Sequence, residues 1–441
     1  MVTVDSNTEN KSNLTGNIET GSESRSSVGR RRFLQATGAG ATVALAGCAG
    51  GDDDDVVRLG ATYILSGFAS LYGEEAERGF ELAEREINDD GGIDGQELEI
   101  ITRDTEGDSE AAIRQMRSLV EEDNVDGPFG LDSSGVAQAV APQAAEIGIP
   151  YMVTHAATPF ITSPSGEHEN SVGNDYMFRC SNNLTQDMYG AARTAAELDA
   201  EEWATIGPDY AFGYETWDYF RDFCEGLGVD VEFTAEQYPP LASSDYTQFI
   251  NSILSQEPDG VITPLWGADL TTFLSQAEEA GWFEQIDHTL FSVGMGTDLP
   301  TDGSPIPEGQ LASTRYDPFT PDTATNNDFR SRYLDEYDTL PTYNAEGAYR
   351  AVYLYKEVIE STGSTDADDL VDAFDGMEHS GPVGDYRFNE RTNQATVPSI
   401  WGSVRYDEEY DSNVLDPVNV YDASPEEIAD ALGDSDLPTG V

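Results

Sequence analysis

Apolar residues cluster over 56–62, 98–101, 125–129 and 149–154, and between these runs they recur at helical spacing over 73–88, 109–122 and 136–147. Short apolar runs alternating with amphipathic stretches predict strands and helices in turn, the signature of an α/β parallel sheet. In 73–88 the apolar face is Phe80, Leu82, Ala83 and Ile87. A Gly- and Asp-rich turn follows over 89–95, and Ser109 is the expected cap of the second helix.

The alternation restarts near Tyr176. It predicts helices over 187–198, 214–227, 246–256 and 269–280, and strands over 203–207, 229–234, 260–264 and 290–293. Two such halves predict two domains. Their architecture repeats; their sequences do not. The last third fits neither half. Helices are predicted over 327–337 and 345–360, the second with Ala348, Ala351, Val352, Tyr355 and Ile359 along one side. Late strands over 381–388 and 399–404 are expected to be joined by a polar turn, and an acidic tail from Ser412 carries a short helix over 425–432.

The N-terminal region adds a destination. Arg30, Arg31, Phe33 and Leu34 resemble a twin-arginine export signal, and Leu45-Ala46-Gly47-Cys48 resembles a lipobox. The apolar run between them is shorter than the about 20 residues that a membrane-spanning helix needs, so it reads as a signal and not as a permanent anchor. The expected product is folded before export and held at the extracellular face of the cell membrane by lipid on Cys48. Residues 1–47 are then leader and signal, and 48–55 an acidic tether.

Charge changes the picture less than its size suggests. The 441 residues include 84 Asp+Glu against 22 Lys+Arg, a formal charge of −62, with Lys11 and Lys356 the only lysines. Such a balance suggests disorder, yet 38% of residues are hydrophobic and 10% aromatic, enough for sizeable cores. A folded, acidic, lysine-poor chain resembles proteins of salt-loving, haloarchaeal-like organisms. At about 1 M salt the Debye length is near 3 Å, so self-repulsion is screened and the carboxylates keep the surface hydrated. Nucleic acid is excluded as a partner, because counterion release needs a basic face. Cys180 and Cys224 are either a disulfide or two buried thiols. The histidines His155, His168, His288 and His379 are scattered, with no spacing that suggests a metal, and no cofactor is expected.

Several loops carry the remaining information. Ser66-Gly67, Tyr72-Gly73, Gly79, the Asn88 to Gly95 turn, Ser133-Ser134, Ala156-Ala157-Thr158 and Tyr210-Ala211-Phe212-Gly213 occur in that order. Together with the lipoprotein signal they resemble the leucine/isoleucine/valine-binding family of ABC-transporter solute receptors, over roughly residues 56–410. The resemblance implies an α/β, type I periplasmic-binding-protein fold: two Rossmann-like lobes joined by three crossover segments, with a small-molecule ligand in the cleft. It implies lobe one from 56–178 with 311–370, lobe two from 179–310 with 371–432, and a tail over 433–441. The partners it implies are the ligand and a membrane permease; a monomer is expected.

Open α/β sheets bind ligands at the carboxyl ends of their strands, where helix N-termini offer free N–H groups. By resemblance Ser133, Ala156 through its backbone, and Thr158 hold a ligand carboxylate, with Ser134 and Ala157 beside them and Tyr72 lining the cleft. Ser133 and Ser134 could equally be plain helix caps, and Tyr72 a structural tyrosine. In lobe two Phe212 falls at the family's cleft tyrosine, with Tyr210 as the other reading of that loop. Trp266 fills a pocket position or the core. Met295 stands where amino-acid receptors of the family place an acid for the ligand ammonium. Asp298 or Asp269 could substitute for it. The ligand is therefore a small branched-chain-like amino acid, or a carboxylate, amide or urea-like compound. Two other functions compete: a ligand sensor of the same fold, and an extracellular hydrolase. The hydrolase lacks a Gly-x-Ser-x-Gly elbow and a His-Glu-x-x-His pair.

Overall fold

The computed structural model describes residues 56–292 and 306–441. Arg30, Arg31, Cys48 and its tether, Met295 and Asp298 lie outside the described residues. The chain opens with β1 (Val56–Tyr63), α1 (Ser70–Asp89), β2 (Glu97–Asp104), α2 (Ser109–Glu121), β3 (Gly127–Gly130), α3 (Ser134–Ile147), β4 (Tyr151–Val153) and β5 (Met177–Arg179). The five strands form a sheet in the order β2-β1-β3-β4-β5, parallel throughout. Asp108, one residue before the expected cap, starts α2: its carboxylate accepts the Ala111 N–H at 2.8 Å.

A second sheet follows. It is built from α4 (Leu184–Ala195), β6 (Glu202–Ile206), α5 (Ala211–Gly226), β7 (Glu232–Gln237), α6 (Thr247–Leu254), β8 (Gly260–Thr263), α7 (Gly267–Glu279), α8 (Trp282–Gln285), β9 (His288–Phe291) and β10 (Leu311–Thr314). The chain then returns to the first sheet with α9 (Ala324–Tyr337), α10 (Tyr343–Thr362), α11 (Ala367–Phe374) and the hairpin β11 (Glu378–Gly381) and β12 (Gly384–Arg387). It ends in the second with β13 (Ser399–Asp407), β14 (Ser412–Tyr421) and α12 (Pro425–Leu432). The second sheet thus runs β14-β13-β10-β9-β8-β6-β7, with β13 and β14 its antiparallel members.

Two boundaries and the connection of the late strands differ from the sequence reading. Leu311–Thr314 pairs with β9 and β13, so the return to lobe one begins after Thr314. Residues beyond 370 stay with lobe one through the hairpin that ends at Arg387, and the Phe374 ring packs 5.1 Å from Phe178 and 5.3 Å from Tyr355. The late strands are not partners. Residues 381–388 belong to a local hairpin, and Ser399–Asp407 pairs instead with Ser412–Tyr421, a strand that the acidic composition had concealed.

Helix α10 lies directly on α1. A Cβ on Gly79 would stand 2.0 Å from the Ala345 carbonyl oxygen, so only glycine permits this approach. Acids of α1 hold the tyrosines of the returning helices: Tyr333 donates to Glu75 (2.9 Å), and Tyr349 and Tyr353 donate to Glu86 (2.8 and 3.0 Å). Residues 180–183, 315–323 and 388–398 cross between the sheets. Arg179 ties the first of these to the third: its N–H donates to the Asn393 carbonyl (3.0 Å) and its Nε to Gln394 Oε1 (2.6 Å). Its Nη1 reaches the carbonyls of Ala156 and Thr158 (3.0 and 2.7 Å), and its Nη2 the Thr162 hydroxyl (2.8 Å). Every nitrogen of this buried guanidinium has a partner, which makes it a structural post. Residues 438–440 also reach both lobes: the Thr439 carbonyl accepts from the Thr185 hydroxyl of α4 (2.5 Å) and that of Gly440 from Thr162 (2.8 Å). Cys180 and Cys224 are free, buried thiols, and burial pushes them up to about 11 and about 12.

Candidate functional site

A narrow cavity of ≈ 30 Å³ lies where the two sheets face each other. Tyr72, Asp132, Ser134, His155 and Ala157 line it from the first lobe; Tyr210, Phe212 and Trp266 from the second; Arg315 from a crossing segment; Tyr343 from the start of α10. Four helices begin there. The first residues of α3, α5 and α7 follow Ser133, Tyr210 and Trp266, and none of these three N-caps makes a side-chain cap bond. Backbone N–H groups left uncapped at a positive dipole end favour an anion.

Aromatic rings join the two sides. Trp266 meets Phe68 and Tyr72 edge-on, with centroids 5.0 and 5.3 Å apart, and its Nε1–H donates to the Tyr210 hydroxyl at 3.0 Å. Tyr72 packs in turn against Tyr343 at 6.3 Å. The Ala268 N–H donates to the Phe68 carbonyl at 3.4 Å, a backbone contact from one lobe to the other.

The polar groups are unequal. Asp132 accepts the Ile64 N–H (2.8 Å) on one oxygen, and the other lies 3.2 Å from His155 Nδ1. His155 Nε2 lies 3.1 Å from the Asn344 carbonyl, so both of its ring nitrogens are engaged. Ser134 Oγ accepts the Thr158 N–H at 3.2 Å. Arg315 is 5% exposed. One Nη donates to the His155 carbonyl, the guanidinium lies 5.6 Å from the Tyr343 ring centroid, and Nε has no hydrogen-bond partner.

Of the residues expected at the site, Tyr72, Ser134, Ala157, Phe212 and Trp266 line the cavity, and Tyr210 joins Phe212 there instead of replacing it. Ser133, Ala156 and Thr158 are not among the lining residues. Ser133 is the extended residue before α3. The Ala156 N–H is spent on the Leu131 carbonyl (2.9 Å) and its carbonyl on Arg179, so the expected backbone contact with a ligand is already occupied. Thr158 is fully buried, accepts the Phe160 N–H (3.4 Å) at the start of the 3-10 turn Pro159–Ile161, and supports Ser134 from behind. Asp269 lies off the cavity, its carboxylate accepting the Ala242 N–H at 3.0 Å. Sequence reasoning missed Asp132, His155, Arg315 and Tyr343 as lining residues. Asp132 stands next to the Ser133-Ser134 pair already singled out and was a legible signal; Arg315 was not.

Glu215 is buried on α5, one turn beyond Phe212. Burial pushes its carboxyl up to about 8, against the pull of the Thr158 hydroxyl and the Arg179 guanidinium. A folded-state value raised above the unfolded one gives stability that is complete below the unfolded value and lost as pH rises through the folded one. Stability should therefore fall from about pH 5 to about pH 9, and Glu215→Gln should flatten that slope. Thermal midpoints across the range check this; an unchanged slope in the variant would contradict it.

Known proteins bear on this geometry. A family model described as periplasmic binding protein matches residues 56–408. The Leu/Ile/Val-binding protein homolog 7 of Brucella suis is 28% identical over 241 residues, 54% of this chain and 59% of that protein. The chain thus spans little more than half the length of such curated relatives. Among solved structures, an ABC-transporter solute binding protein from R. palustris in complex with 4-hydroxybenzoate gives a TM-score of 0.74 at 22% identity, covering 84% of this chain and 98% of that one. The branched-chain amino acid transporter substrate binding protein LivJ from Streptococcus pneumoniae, in complex with isoleucine, gives 0.72 at 17% identity, covering 83% of this chain and 100% of that one. At these identities the likeness is one of fold.

Proposed function

The chain belongs to the periplasmic binding protein family, and we propose that it is the solute receptor of an ABC importer. It binds a small carboxylate or amino acid between its lobes and delivers it, chemically unchanged, to a membrane permease. The supporting observation is the cavity itself, whose walls come from both lobes and a crossing segment, with three uncapped helix starts and a buried guanidinium around it. A ligand touching both lobes stabilises the closed arrangement, and a permease recognises that form. The order of Arg30, Arg31, an apolar run and Cys48 supports twin-arginine export and a lipid anchor at the outer face of the membrane. No helix among the described residues is long and apolar enough to cross a membrane. The receptor acts as a monomer in concentrated salt, where its acidic surface is screened.

Thermal denaturation in molar KCl with a panel of amino acids and small carboxylates tests the reading. A true ligand at about 100 times its Kd stabilises by about 2.7 kcal/mol and is recovered intact by mass spectrometry. Consumption of the ligand would point to a hydrolase, and silence across the panel would contradict the receptor.

A further inference from the structure

We infer that residues 434–441 form a strap across the hinge: a further, non-covalent crossing that holds both lobes in the closed arrangement and sets how readily they part. The strap starts on lobe two. Helix α12 ends against α5 so closely that a Cβ on Gly226 would stand 1.9 Å from the Ala431 carbonyl oxygen. Ser435 then donates to Asp222 of α5 (2.5 Å). Near it on the same helix, the buried Tyr219 hydroxyl donates to the Pro438 carbonyl. The next residues pass the hinge itself. Asn183, the end of the first crossing segment and the N-cap of α4, donates from Nδ2 to the carbonyls of Thr439 and Gly440 (3.0 and 3.1 Å).

The far end is seated on lobe one. The Gly440 carbonyl accepts from the Thr162 hydroxyl. Gly440 has a φ of 58°, and a Cβ there would stand 2.5 Å from the Pro159 carbonyl oxygen, so the seat requires glycine. Val441 is buried in the larger apolar core. Segments of this kind fray unless they are tied down, and this one is tied to α5, to the hinge and to lobe one. Its seat also touches the site. Thr162 accepts from Arg179, which holds the carbonyls of Ala156 and Thr158, and the Thr158 N–H donates to Ser134 on the cavity wall. Rotation of the lobes about their crossing segments moves α5 against Pro159–Thr162. The strap must then release one of its two seats, so an intact strap weights the balance toward closure.

Double electron–electron resonance in molar KCl reads the separation of the lobes without any ligand, so its outcome is independent of the receptor reading. Spin labels go on Glu110→Cys of α2 and Asn251→Cys of α6, both exposed, in a chain carrying Cys48→Ser; Cys180 and Cys224 are buried. Removal of residues 437–441 should raise the ratio of parted to closed lobes about tenfold. Gly440→Ala, which unseats only the lobe-one end, should shift the ratio in the same direction, as should Tyr219→Phe, which removes a donor on lobe two. If the shortened chain does not fold, these two variants decide the matter. Distances unchanged in every folded variant would overturn the strap, and a lowered thermal midpoint beside them would leave the segment a structural part of lobe two. A shift toward shorter distances would overturn it as well, because the segment would then be holding the lobes apart.

Discussion

Arg350→Met should lower unfolding stability by about 3–5 kcal/mol, the cost of leaving a buried charge without its partner. Arg350 and Glu346 stand one turn apart on α10, both fully buried, with Nη2 2.8 Å from the carboxylate. The guanidinium also lies over the Tyr386 ring at 5.4 Å. Burial pushes the Glu346 carboxyl up, and Arg350 beside it works in the opposite direction. Without the arginine, the carboxyl would take a proton more readily, so the loss should shrink toward about pH 5. The double variant Glu346→Met with Arg350→Met should return to within about 1 kcal/mol of the parent, because a buried pair contributes little against an apolar substitute of similar volume. Guanidinium chloride denaturation of the three variants measures this. A single-variant loss under about 1 kcal/mol would contradict it. The result bears on function because α10 starts at the cavity with Tyr343 and packs its length against α1.

Trp266→Ala should weaken the tightest ligand of the panel by about 30-fold to 100-fold, or about 2–3 kcal/mol. One side chain does three things there. It walls the cavity, it meets Phe68 and Tyr72 of the opposite lobe, and it donates to Tyr210. Losing it removes ligand contact and interlobe contact together. Trp266→Phe keeps most of the ring area and loses the N–H, so it should cost about tenfold or less. Calorimetry on both variants separates the two contributions. Equal affinity in Trp266→Ala and the parent would place the ligand elsewhere.

The two α/β halves were legible because parallel sheets buried on both faces leave continuous apolar runs with amphipathic helices between them. The closing strand Ser412–Tyr421 was not. Asp416, Asn419 and Asn413 interrupt its apolar positions, because it is the edge of its sheet and faces water along much of its length. The hairpin Glu378–Arg387 and the final strands looked alike in sequence, and only pairing distinguishes them. At the site, the loops after strands were legible as places but not as atoms. Ser133 and Ser134 differ by a single position in the turn into α3, and that position decides which one lines the cavity. Ala156 kept its place while its amide was taken by Leu131, a fact of pairing that no residue type encodes. Arg315 escaped notice because its burial depends on two lobes and a crossing segment meeting, which periodicity along one chain does not report.

A crystal structure of the full chain grown with the tightest ligand of the panel addresses the central claim most directly. Density for one molecule between Tyr72 and Trp266 is the expected result. A ligand bound on an outer face, with the interlobe space empty, would contradict the account.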